Sequence, residues 1–102
     1  MTSIHLIEKL NKLQQVPGSQ DEWESGFWAV TPQTAGRLVG GDLYLHARQL
    51  HPSHFGGVIQ SFSIQPEGED QGRVIFRFRS TPAHKGVKTS RKGWGNEKKI
   101  IF

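Results

Sequence analysis

The pattern that decides the fold lies in residues 57–79, which read GVIQSFSIQPEGEDQGRVIFRFR. Two runs rich in β-branched and aromatic residues, 57–65 and 72–79, flank the acidic, glycine-containing segment 66–72. Such runs are typical of strands, and the segment between them is typical of a hairpin tip. We therefore expect two neighbouring antiparallel strands joined by an acidic turn.

In the second of these strands, the alternation of apolar and basic residues indicates which side chains share a face. Val74, Phe76 and Phe78 point one way, and the residues between them point the other way, because side chains alternate with a period of two. The first face is apolar and predicts the core. The opposite face includes Arg77 and Arg79 and predicts a basic stripe.

Three further strands are predicted outside the hairpin, at residues 26–30, 42–46 and 98–102. Thr31 followed by Pro32 is typical of an N-cap with proline at the first helical position. A short helix over about residues 32–38 is therefore expected between the first two strands.

A longer helix is predicted near the amino terminus. Apolar residues recur there every three positions, at Ile4, Ile7, Leu10 and Leu13. Ser3 is a suitable N-cap, and a proline-glycine pair ends the pattern, so residues 3–15 are predicted to form an amphipathic helix within an amino-terminal unit 1–18. Residues 14–25, which hold several acids, are expected to form a connector.

Together these elements predict one domain over residues 1–102, with an α+β fold that is mainly β. Residues 26–102 are expected to form a small antiparallel barrel or pseudobarrel of five to six strands. The amino-terminal helix and the short helix between the first two strands complete it. A basic loop, residues 80–96, is expected before the last strand.

Charge is strongly segregated along the chain. Residues 73–102 contain nine Lys or Arg and one acid, whereas residues 1–72 contain four bases and eight acids, so the net charge of +4 is the sum of +8 and −4. A concentrated positive field favours a polyanionic partner such as RNA or DNA. The predicted phosphate contacts are Arg77, Arg79, Lys85, Lys88, Arg91 and Lys92.

The composition excludes several classes of site. The chain has no cysteine, which excludes disulfides, thiolate nucleophiles and zinc sites built on thiolates. No window approaches the roughly 18 apolar residues of a membrane span, and no secretory signal pattern is visible. We expect a cytoplasmic protein without a membrane partner.

Three histidines, His46, His51 and His54, fall within nine residues and invite a metal or catalytic interpretation. Their spacing does not match a helical H-x-x-x-H pair, and the nearest acid is Asp42, so neither a metal nor another cofactor is predicted. Paired imidazoles also support general acid/base cleavage of RNA. A small hydrolase or nuclease therefore stays open as an alternative.

Gly56 and Gly57 stand consecutively at the start of the third strand. They bury no side chain and cost conformational entropy, so they indicate a tight turn, a bulge, or the close approach of another backbone or of a flat ligand. Ser53, His54 and Phe55 before them offer polar edges and a stacking face for a base.

Trp94 stands between two glycines at the end of the basic loop. The glycines allow its indole either to pack against the sheet or to form a stacking platform for a base. Packing is the preferred interpretation, because the apolar residues 100–102 follow closely and need a fixed entry into the sheet.

Three segments resemble the PUA-like superfamily, particularly its EVE and ASCH branches. These segments are FWAV at 27–30, VGGDLYLH at 39–46 and GGVI at 56–59. The resemblance covers about residues 26–79 and implies a pseudobarrel that binds RNA or a modified base in DNA. The implied pocket positions fall near Trp28, His46, Ser53 and Phe55.

The sequence as a whole predicts a non-enzymatic nucleic-acid-binding module. The residues expected to contact a base are Trp28, His46, Ser53, Phe55 and Trp94. Besides the hydrolase, a second alternative is an accessory protein that docks an acidic protein partner through its basic face.

Overall fold

The computed structural model describes residues 2–8 and 12–102. Within them the chain forms seven strands, the helix α1 (Pro32–Leu38) and a 3₁₀ turn at Pro82–His84. The strands are β1 (Ser3–Ile7), β2 (Leu13–Gln15), β3 (Glu22–Trp28), β4 (Asp42–His46), β5 (Ser53–Ile64), β6 (Val74–Ser80) and β7 (Lys98–Ile101).

All of these strands join one sheet in the order β2-β3-β6-β5-β4-β1-β7. Neighbours are antiparallel except β1 and β4, which run parallel. The prediction of a mainly β fold is confirmed. The predicted antiparallel barrel of five to six strands is wrong, because the described residues form an open, mixed sheet of seven strands.

The amino-terminal segment forms strands instead of the predicted helix over residues 3–15. β1 lies between β4 and β7 and pairs on both of its edges. Ile4 and Leu6 are fully buried, at the period-two spacing of a strand. A helix of this length is marginal without tertiary packing, so sheet pairing decides the structure. Leu10, part of the predicted helical stripe, lies outside the described residues.

The short predicted helix is confirmed as α1. The Thr31 hydroxyl accepts a hydrogen bond from the backbone N–H of Thr34 and caps the helix. Ala35 and Leu38 are fully buried, so the helix packs on the core. No helix in the described ranges is long and apolar enough to cross a membrane.

The predicted hairpin is also confirmed. β5 and β6 are antiparallel neighbours, and the N–H of Gln65 donates to the Arg73 carbonyl at 2.9 Å where their tip begins. Val74, Phe76 and Phe78 are fully buried, as their alternation predicts.

The sheet has two chemically different sides. The core face presents Ile4, Leu6, Leu43, Leu45, Ile59, Val74, Phe76 and Phe78. The polar face presents His5, Asp42, Tyr44, His46, Arg77 and Arg79. The core face carries α1, and the polar face carries the candidate site.

Gly56 and Gly57 are explained by the close approach of neighbouring backbones. A Cβ on Gly56 would collide with the carbonyl oxygen of Leu43 in β4, and a Cβ on Gly57 would collide with that of Arg79 in β6. The two glycines therefore let β5 lie tightly between β4 and β6.

Candidate functional site

The basic loop, residues 80–96, is fixed to the sheet by Ser53 at the start of β5. The N–H of Ser53 donates to the Val87 carbonyl at 2.8 Å, and the N–H of Gly86 donates to the Ser53 carbonyl at 2.7 Å. The Ser53 hydroxyl donates to the His84 carbonyl at 2.6 Å and accepts from the N–H of Val87 at 2.9 Å. Ser53, expected near a base pocket, is buried and anchors the loop.

His84 is the second anchor of the loop. Its Nε2 donates to the Asp42 carboxylate at 2.9 Å, and its ring packs against Tyr44 with centroids 5.1 Å apart. A Cβ on Gly56 would come within 3.1 Å of the His84 Cβ. The missing side chain at Gly56 therefore makes room for His84.

Trp94 and Lys99 hold the far end of the loop. The Trp94 indole packs edge-on against His5 and His46, with ring centroids 6.2 and 5.6 Å apart. The buried Lys99 ammonium donates hydrogen bonds of 2.7 to 3.2 Å to oxygen atoms of residues 89–90. Trp94 is therefore packed against the sheet in this structure.

Between these anchors the loop presents four exposed cations to solvent: Lys85, Lys88, Arg91 and Lys92. Within the described part of the chain, no carboxylate lies within ion-pair distance of any of them. No nearby acid among the described residues therefore neutralises their charge. The loop that carries them is held to the sheet at Ser53, His84, Trp94 and Lys99.

Arg77 and Arg79, the other predicted phosphate contacts, are paired with acids. Arg77 lies 3.0 Å from the Glu22 carboxylate, and Arg79 lies 3.7 Å from that of Asp21. β3 begins at Glu22, within the expected connector and earlier than the predicted strand 26–30, because it pairs with β6. The charge that is segregated along the sequence is therefore partly neutralised in space. Of the six predicted phosphate contacts, the four on the loop are those without a carboxylate partner among the described residues.

A buried imidazole pair lies beneath Trp94. His46 Nδ1 is 2.8 Å from the His51 carbonyl oxygen, which can only accept, so this nitrogen carries the hydrogen. In the neutral ring, His46 Nε2 is then the acceptor, and His5 Nδ1 donates to it at 2.9 Å. The hydrogen-bond partners therefore assign the tautomer of both rings.

Burial keeps this pair uncharged. Burial, helped by the neighbouring His46 and Lys99, lowers the pKa of His5 to about 4. Burial also lowers the pKa of His46, although its bond to the His51 carbonyl acts in the opposite direction. Both rings are neutral at pH 7 and inaccessible to a substrate in this conformation.

Tyr44 lies between the imidazole pair and the loop. Its ring stacks on His5 with centroids 4.7 Å apart and contacts His84 on the other side. Burial, together with the nearby Asp42 carboxylate, raises the pKa of Tyr44. The phenol therefore stays protonated at neutral pH and continues the packed polar layer under the loop.

The three histidines clustered in sequence do not form a metal site here. His46 is buried, whereas the His51 and His54 side chains are exposed. His51 contributes its backbone carbonyl to the imidazole pair. No group of three His, Asp or Glu side chains within residues 2–8 and 12–102 is arranged to hold a metal ion.

The five predicted base contacts do not share one pocket. His46 and Trp94 touch each other on the polar face. Trp28 is only 6% exposed and belongs to the core, where its indole N–H donates to the Ser25 hydroxyl at 3.1 Å. Phe55 packs edge-on against other aromatic rings at the border of the core.

Sequence reasoning did not single out a cleft of about 850 Å³ where the connection after β4 meets the segment before β7. Its apolar wall comes from Ile7, Trp28 and Ala29, and its charged rim from Arg48, Arg73, Glu97 and Lys98. Gln49 Nε2 donates to the Asn96 carbonyl at 3.0 Å and ties the two connections together. Trp28 therefore both belongs to the core and lines a cleft.

Comparison of the chain with protein-family models, with curated proteins and with solved structures gives no match. Its function is therefore inferred from the geometry and charge of the described residues.

Proposed function

We propose that this chain is a non-enzymatic nucleic-acid-binding module that contacts RNA or DNA through the basic loop. The observation that carries the proposal is the exposure of four loop cations without carboxylate partners in the described residues. Phosphate groups are the complementary partner for such a surface. Arg77 contributes less, because the Glu22 carboxylate lies 3.0 Å from its guanidinium, whereas the exposed pair of Arg79 and Asp21 at 3.7 Å is weak.

Anchoring of the loop also supports a binding role. The hydrogen bonds of Ser53 and Lys99 and the ring packing of His84 and Trp94 hold the loop on the polar face. A surface that is ordered before binding loses less conformational entropy when the partner arrives. The cations are thus presented in a defined arrangement.

The burial of the imidazole pair weakens the nuclease alternative, which is left with the exposed His51 and His54. General acid/base cleavage of RNA requires an imidazole within hydrogen-bond reach of the phosphodiester. His46 has no exposed surface and His5 is 3% exposed, so neither meets this requirement here. The PUA-like resemblance of residues 26–79 is the reason for including modified bases among the partners to be tested, although the sheet is open and is not the pseudobarrel that the resemblance implies.

A binding panel tests the proposal. Fluorescence anisotropy with labelled single- and double-stranded RNA and DNA, with and without modified bases, is expected to show binding at low salt. Lys88→Gln should weaken binding about three- to tenfold, because it removes one phosphate contact. Arg37→Gln, which removes an equal charge from α1 on the other side of the sheet, should leave affinity nearly unchanged.

Two results would redirect the assignment. Cleavage of the labelled RNA, lost when the exposed His51 and His54 are replaced together by alanine, would favour the hydrolase alternative. Tighter binding to poly-glutamate than to any nucleic acid would favour an acidic protein partner.

A further inference from the structure

We infer that the cleft lined by Trp28, Arg48 and Lys98 receives one nucleotide of the bound strand, an assignment that rests on the proposed function. The phosphate would be held by the cations of the rim, and the sugar or base would lie against the apolar wall. This site shares residues 95–96 with the end of the basic loop but does not include the loop cations Lys85, Lys88, Arg91 and Lys92.

The charge of the rim favours an anion. Three cations and one acid line the cleft, and Arg48 has no ion-pair partner among the described residues. Arg73 lies 3.9 Å from the Asp70 carboxylate, at the limit of an ion pair, and the two side chains are 48% and 34% exposed. Such a pair is weak, so the Arg73 guanidinium remains available to a phosphate.

Lys98 is positioned at the cleft by its own hydrogen bond. Its ammonium donates to the carbonyl of Ala29, the residue next to Trp28 on the apolar wall. An ammonium has three donors, so two remain for a ligand. The charge of Lys98 is thereby held beside the apolar wall. A nucleotide with its sugar against this wall would have its phosphate close to Lys98.

The size and lining of the cleft suit a nucleotide within a strand. Its volume of about 850 Å³ falls within the range of roughly 300 to 1,000 Å³ that is typical of small-ligand sites. Gln49 and Asn96 add side-chain amides, which can both donate to and accept from the edge of a base. An apolar wall with a few polar groups is the usual composition of such a site.

The cleft is continuous with the basic loop along the chain. Residues 95–98 line the cleft and follow the loop cations at 85–92 after two intervening residues. We therefore expect a single strand that crosses the loop to reach the cleft as well.

Titration of ¹⁵N-labelled protein with nucleoside 5′-monophosphates tests the inference. The backbone amides of residues 48–49 and 95–98 should shift, and inorganic phosphate and unphosphorylated nucleosides should each bind more weakly. Arg48→Gln should reduce mononucleotide affinity about tenfold, the usual scale for one charge-assisted contact. Lys88→Gln, the matched loop variant, should leave mononucleotide affinity unchanged while it weakens oligonucleotide binding.

The outcomes separate this inference from the proposed function. Oligonucleotide binding that depends on Lys88, with no mononucleotide shift in the cleft amides, would overturn the cleft assignment and keep the proposed function. Mononucleotide shifts lost in Arg48→Gln, without oligonucleotide binding, would keep the cleft as a nucleotide site and overturn the proposed function. Shifts confined to the amides of residues 85–92 would also overturn the cleft assignment.

Discussion

Ser53 and Val87 are joined by two hydrogen bonds, in which the N–H of Ser53 donates to the Val87 carbonyl and the N–H of Val87 donates to the Ser53 hydroxyl. Ser53→Ala removes the hydroxyl and leaves the His84 carbonyl and the Val87 N–H without that partner. We expect the free energy of unfolding to fall by about 1 to 3 kcal/mol. Denaturant titration measures this loss, and hydrogen exchange should show faster exchange at Val87. Unchanged exchange at Val87 would contradict the anchoring role.

The Trp94 indole packs against His5 and His46. Trp94→Ala should lower stability by about 2 to 3 kcal/mol, less than for a fully buried tryptophan because the indole is half-buried. Nucleic-acid binding should weaken only as far as the loop loses its support. Trp94→Phe, which retains a ring, is the control. A Trp94→Ala protein that melts like the parent and yet fails to bind would show that the indole contacts the ligand.

Gly57 and Gly36 provide a matched pair of substitutions. Gly57→Ala places a Cβ against the Arg79 carbonyl in β6, so it should separate the strands and destabilise the fold by roughly 2 kcal/mol or more. Gly36→Ala, in α1, meets its nearest atom at 3.9 Å and should stabilise by about 0.5 to 1 kcal/mol. Thermal melting of both variants checks the opposite signs. A neutral Gly57→Ala would contradict the tight packing of β5.

The imidazole pair makes stability depend on pH. The unfolded chain protonates His5 near its ordinary pKa of 6.5, whereas the folded protein keeps it neutral down to about pH 4. The unfolded state therefore binds more protons in this interval. The stability that the neutral His5 contributes is fully present above about pH 6.5 and is lost as the pH falls to about 4. The loss for His5 is at most about 3 kcal/mol.

His5→Gln isolates this effect. The glutamine amide can still donate to His46 Nε2 but does not titrate. Denaturant midpoints of parent and variant should therefore converge as the pH falls from 6.5 to 4. Parallel curves over that interval would show that His5 is not held neutral.

Local signals predicted α1 and the β5–β6 hairpin correctly. The cap at Thr31 and the alternation of Val74, Phe76 and Phe78 each act within a few residues, so the chain needs no distant partner to express them. β1 is different, because it pairs with β4 about forty positions away and with β7 near the other end of the chain. Its three-residue apolar spacing fits a helix equally well until those partners are known.

The candidate site also divides into a part that local sequence patterns predict and a part that depends on long-range pairing. Asp42, Tyr44 and His46 alternate with leucines in β4, which is sufficient to place them on one face. His5 and His84 join this group only because β1 pairs with β4 and the basic loop folds over the sheet, so no local pattern indicates their position. Likewise, the ion pair between Arg77 and Glu22 requires β3 beside β6, and charge counting along the sequence does not indicate it.

The salt dependence of oligonucleotide binding tests the central claim most directly. If the four loop cations contact about four phosphates, log K should fall linearly with log salt concentration at a slope of roughly −3 to −4. Replacing Lys88 and Arg91 together by glutamine should reduce the magnitude of that slope by about 2 and weaken all sequences about equally. A slope near zero, or a slope that the double variant leaves unchanged, would contradict the claim that the basic loop binds nucleic acid.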